Sequence, residues 1–136
     1  MVYILNFLYK EKKLMKILNS LGLIFFFPFV NLTDRGIISL IIILNGILCH
    51  FTRHKEIKGW KYIRNYDILS NIIISIYLLI NTKYKIYTIL TIIIVLILFI
   101  INYIRYESHY LIHIFGIQLP FAIALSIYSP KIIYSS

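Results

Sequence analysis

From Ile86 to Ile104 the chain runs nineteen residues without an Asp, Glu, Lys or Arg. As an α-helix this stretch reaches about 28 Å at ~1.5 Å per residue, close to the ~30 Å hydrocarbon thickness of a bilayer. Each charge at the centre of such a helix would cost about 2.5–3.5 kcal/mol on the translocon scale. A run of this kind is therefore expected to cross a membrane. Its isoleucines, Ile92-Ile93-Ile94 among them, are β-branched, but within lipid the backbone must satisfy its own hydrogen bonds, and helix is the only form open to a single segment.

Four further stretches share this character. Ile17 to Thr33 is free of charge but interrupted by Pro28; Gly36 to Thr52 is continuous; Asn65 to Thr82 carries only Asp67, in its first turn; Ser108 to Pro130 contains His109, His113, Gln118 and Pro120. The expected fold is all-α, an integral membrane protein of about five transmembrane helices over 17–33, 36–52, 65–82, 86–104 and 108–130. Residues 1–16 form a basic N-terminal segment and residues 131–136 a tail. The lysines before the first span resemble a signal peptide, but no small-residue cleavage site follows, so the segment is expected to be retained as an anchor.

Composition agrees with this reading. Sixty per cent of the residues are apolar and 14% charged, against about a quarter charged in an ordinary soluble domain. There is too little polar surface for a soluble enzyme. The net charge of +9 is scattered through loops and does not form a basic module interleaved with aromatics, so nucleic acid is a poor partner and anionic lipid headgroups a good one. A single cysteine, Cys49, excludes an intrachain disulfide. Ten of the fourteen Lys and Arg fall in the N-terminal, second-to-third and fourth-to-fifth connections, and four on the other side, which places the N-terminus in the cytoplasm.

The ionisable residues in the spans carry the functional argument. Histidines occur as two pairs four apart, His50 with His54 and His109 with His113. That spacing brings side chains to one helix face with Cβ atoms about 5–6 Å apart. Under the topology given by charge alone, His50, Asp67, His109 and His113 all lie at the cytoplasmic ends of their helices. Three neutral imidazoles and one open position make a catalytic Zn²⁺ site, and a nearby carboxylate can take a proton from the attacking water. The plainer readings are a helix N-terminal acid for Asp67, favoured by the macrodipole, and a solvated headgroup-level residue for His54.

The pattern resembles the CREST superfamily of membrane hydrolases and receptors, which includes alkaline ceramidases, the progestin and adipoQ receptors and the hemolysin III group. Its members share a histidine late in the second span, an aspartate early in the third and His-x-x-x-His in the last. The matching positions are His50 in Asn45-Gly46-Ile47-Leu48-Cys49-His50, Asp67 in Asn65-Tyr66-Asp67-Ile68-Leu69-Ser70, and His109-Tyr110-Leu111-Ile112-His113. The resemblance implies zinc held by His50, His109 and His113, with Asp67 beside the attacking water. Two departures mark a reduced form. Gly46 stands where the superfamily usually has serine, with Asn45 next to it but about 100° away around the helix, and five spans stand where relatives have seven.

The expected function is a zinc-dependent hydrolase acting on an amide or ester of a membrane lipid. A metal site kept without catalysis, a membrane protein with no metal, and haem ligated between His50 and the last span are the alternatives.

Overall fold

The structure, a computed structural model, describes residues 1–105 and 109–132, and of residues 8, 9, 12, 13 and 15 the backbone only. The start of the expected last span at Ser108 and the tail beyond Ile132 lie outside the described residues. Every named element is helical. Helix α1 spans Val2–Leu18 and runs directly into a 3-10 segment, Asn19–Phe29. Then come α2 (Asp34–His54), α3 (Trp60–Asn81), α4 (Lys85–Arg105), a π-helical segment (Ile112–Gln118) and α5 (Leu119–Ile127).

Three of these, α2, α3 and α4, are long and apolar enough to cross a membrane. They overlap the second, third and fourth expected spans, but α3 begins at Trp60 and not at Asn65, so Asp67 lies past the first turn in which it was expected. The first and last expected spans correspond to shorter apolar helices, Lys16–Phe29 and Ile112–Ile127. The first is short for an identifiable reason. Pro28 lies inside it, and at ~2.0 Å per residue the eleven residues of the 3-10 segment cover only about 22 Å.

The last helix is modified by its own proline. Pro120 has no N–H, and in a regular α-helix its ring would press on the carbonyl four residues back, at Gly116. The wider π turn relieves this: the Leu119 amide reaches back five residues to the Ile114 carbonyl. His113 sits inside that widened turn. Gly116 lies against Leu98 of α4.

Packing closes a ring. α2 packs on the 3-10 segment and on α3, α3 on α4, α4 on the π segment and α5, and both of these on the 3-10 segment again; α1 lies outside, against α2 and the 3-10 segment. The buried cluster of Leu23, Phe26, Ile38, Ile42, Ile43, Ile74, Leu78, Leu125 and Tyr128 fills one end of the ring. On α2 the buried positions Ser39, Ile42, Ile43, Gly46, Cys49 and His50 recur at three- and four-residue spacing, one helical stripe turned inward. α3 and α4 bury only a ninth of their apolar windows, and Ile73, Ile80, Ile86, Leu90 and Ile93 point outward. Meanwhile Ser39, His50, Thr88, Asn102 and Gln118 are buried. An apolar outside around a partly polar inside suits a lipid surround and not water.

The candidate site at one end of an apolar cavity

Between the helices of the ring lies a partly open cavity of about 480 Å³, within the ~300–1,000 Å³ range of small-molecule sites. Its walls are mostly aliphatic and aromatic: Leu23 and Phe26 of the 3-10 segment, Ile42 of α2, Ile72, Ile76 and Leu79 of α3, Ile92, Leu96 and Phe99 of α4, and Phe121 of α5. Three ionisable side chains also line it: His50, Asp67 and His113. They come from the C-terminal end of α2, the N-terminal end of α3 and the π segment.

The two imidazoles meet edge to face, their ring centroids 5.1 Å apart and their planes at 86°. His50 is 7% exposed, and its Nδ1 is shut off from solvent with no hydrogen-bond partner. A buried imidazole nitrogen without a partner is costly unless something fills the space before it. Asp67 has the Asn71 side chain, one turn further along α3, as its hydrogen-bonding neighbour, and Asn71 and Ser75 continue the polar strip along the cavity wall. Asn45, beside Gly46, donates to the Ser70 hydroxyl at 3.1 Å and so ties α2 to α3.

His109 is placed differently. It does not line the cavity. Its ring stacks on Tyr110 at 4.9 Å, and its Nδ1 accepts the Leu111 amide at 3.2 Å. Its backbone is held by Asn102 of α4, whose Oδ1 accepts the His109 amide at 2.8 Å and whose Nδ2 donates to the His109 carbonyl at 3.3 Å. Thus three of the four sequence-derived site residues line one cavity, two of them in contact, and the fourth does not. Among the described residues no three His, Cys, Asp or Glu side chains gather so as to hold one metal ion. His50 and His113 supply two imidazoles in contact, one with an unpartnered nitrogen, a donor type that zinc accepts; His109 is not among them.

Asn102 is a positioning residue that the sequence reading passed over. A lone amide in the most apolar span is the signal that would have found it, since a side chain of that kind is buried only where it has partners. Gly46 has a clear local role. A Cβ there would lie 2.6 Å from Leu23 Cδ2, so Leu23 occupies the space a serine would need. Gly46→Ser is therefore expected to lower stability by about 1–3 kcal/mol through overpacking. With Leu23→Ala in the same chain the combined cost should fall below the sum of the two single costs, as read by thermal unfolding in detergent. Simple additivity would show that Leu23 does not occupy the serine's place.

No family model, curated protein or solved structure matches the chain. The functional reading rests on its own residues.

Proposed function

We propose that this chain is a five-span membrane protein with its N-terminus in the cytoplasm, and that it hydrolyses an amide or ester bond of a membrane lipid. The observation that carries the reading is that His50, Asp67 and His113, from three different helices, line one mostly apolar cavity, the two imidazoles in contact. The aliphatic walls suit an acyl chain. The polar residues at one end suit the bond that joins it to a headgroup.

Zinc would be held by His50 and His113, with His109 as the third donor, as the resemblance to the CREST superfamily implies. When bound, zinc supplies Lewis-acid polarisation of a carbonyl and a water that is nucleophilic near neutral pH. Asp67 orients the attacking water and accepts its proton. Asn71 holds the carboxylate in place. The apolar walls exclude bulk water and fix the chain so that its carbonyl lies beside the histidines.

The test is elemental analysis of the full chain purified in detergent, followed by hydrolysis of a labelled ceramide and a labelled phospholipid. About one zinc per chain is expected in wild type, with most of it lost in His113→Ala. A chain without zinc would overturn the metal reading, and a Soret band would replace it with haem. A second reading is favoured by Leu23 against Gly46: a protein that binds the same lipid without turning it over, the serine-bearing position having been filled by packing. Zinc with no hydrolysis of either lipid would select it.

A further inference from the structure

Beyond the polar end of the cavity the structure holds a cluster of cations around one indole ring. Arg53 lies three residues beyond His50 on α2, and Arg64 three residues before Asp67 on α3. Residues three apart share a helix face and are about 4.5 Å apart along the axis. Both arginines therefore stand one turn outward of the residues that line the cavity. Their guanidinium carbons lie 5.6 Å from the centroid of the Trp60 ring, and Lys61 Nζ lies 5.9 Å from it. Arg64 also lies over Tyr103 of α4 at 5.5 Å. The guanidinium groups are near enough to repel each other.

Among the described residues no carboxylate forms an ion pair with either arginine. Arg53 Nε and Arg64 Nε are both shut off from solvent without a hydrogen-bond partner. Ring faces offset part of the charge, but they accept no hydrogen bond from Nε in the guanidinium plane. Two like charges with buried, unused donors are unfavourable unless an anion sits between them. Planar guanidinium forks match phosphate oxygens in charge and spacing.

We propose that Arg53 and Arg64 bind the phosphate group of a lipid whose acyl chain lies in the cavity. The site thus selects a phosphate-bearing lipid over a neutral one. The inference rests on the lipid-binding reading above for the occupant of the cavity. The order from inside outward is acyl chain, His50 with Asp67 and His113, then the arginine pair. A bound phosphate would hold the linkage between headgroup and chain beside the histidines.

Trp60 is the only tryptophan in the chain, so its emission reports on this site directly. The full chain in dodecyl maltoside is titrated with oleoyl lysophosphatidate, monooleoylglycerol and inorganic phosphate. Lysophosphatidate is expected to give a saturable change, with a midpoint at least tenfold below that of monooleoylglycerol. Arg53→Gln with Arg64→Gln should raise the lysophosphatidate midpoint tenfold or more and leave the neutral lipid unaffected. The same midpoint for both lipids in wild type, or for wild type and a variant of unchanged thermal stability, overturns the proposal. Inorganic phosphate saturating at the lysophosphatidate midpoint would keep the anion site but remove the lipid from it. If the double variant does not fold, the wild-type comparison of the two lipids decides alone. None of these readouts needs zinc or turnover. A failed hydrolysis assay leaves the binding result standing, and a lost phosphate preference leaves hydrolysis of a neutral lipid open.

Discussion

In an Asp67→Asn variant, hydrolysis of the lipid amide or ester is expected to fall by about 10²–10⁴-fold, the range that a positioned general base contributes. Asparagine keeps the shape of the side chain and its contact with Asn71, but it cannot take a proton. Zinc content should stay near the wild-type level, because His50 and His113 are untouched. Lipid binding should also persist, since the walls that hold the chain are aliphatic and aromatic. The variant thus separates the proposed proton acceptor from the proposed metal ligands, whereas His50→Ala is expected to lose both metal and turnover. Activity of Asp67→Asn within about twofold of wild type would remove Asp67 from the chemistry. The carboxylate would then be a polar wall residue held by Asn71, since it lies past the first turn of α3, where the macrodipole acts.

The parts of the molecule that were legible in the sequence are those governed by local rules. Charge-free runs located α2 and α4 closely, because the cost of a buried charge bounds the apolar part of a span; α3 begins earlier than expected, at Trp60, and carries Lys61 and Arg64 in its first turns. His50, Asp67 and His113 stood out in the sequence as ionisable residues in apolar spans, and all three line the cavity. The form of the two outer apolar segments was less accessible. Pro28 signalled a short first segment, but not an eleven-residue 3-10 run, and Pro120 did not announce the π turn that carries His113. Both depend on how the backbone accommodates proline against neighbouring helices.

His109 shows the same limit at the site. The His113 amide does bond to the His109 carbonyl at 3.1 Å, one helical turn, but His109 stands ahead of the first helical residue, and its Nδ1 accepts the Leu111 amide. Asn102 instead holds the His109 backbone from α4, and Tyr110 takes its ring. The arginines around Trp60 read as loop charges in the sequence. Their meeting over one ring depends on how α2 and α3 pack.

Asp34 is the residue whose importance the sequence showed least, and its removal is expected to have the largest effect on stability. It opens α2 behind the cap that Thr33 provides by accepting the Gly36 amide at 3.1 Å. One carboxylate oxygen accepts the Arg35 amide at 2.8 Å and the Lys131 amide at 2.7 Å. The other accepts the hydroxyls of Tyr77, at 2.7 Å, and of Tyr128. The start of α2, the C-terminal half of α3 and the chain after α5 are thus tied at one carboxylate. Arg35 adds bonds to the Ser126 and Tyr128 carbonyls, and Lys131 Nζ donates to Asn81. Tyr128 is 1% exposed, so its hydroxyl has no water to turn to.

Asp34→Ala should therefore cost about 3 kcal/mol, since bonds to a charged acceptor contribute about 1.5–3 kcal/mol and an orphaned buried donor adds its own penalty. Tyr77→Phe, at a more exposed ring, should cost about 1 kcal/mol. A cycle of Asp34→Ala with Tyr128→Phe should show a coupling of about 1 kcal/mol or more. Unfolding of the purified chain in detergent, followed by circular dichroism, measures all three. A carboxylate acting only through the helix dipole would cost about 0.3–1 kcal/mol and show no coupling to Tyr128, so the cycle separates a tie between helices from a favourable helix end. Asp34 lies sixteen residues from His50, about 24 Å along α2 at ~1.5 Å per residue. Below its lowered unfolding midpoint the variant should keep wild-type lipid binding, because what it loses is the closure of the far end of the ring.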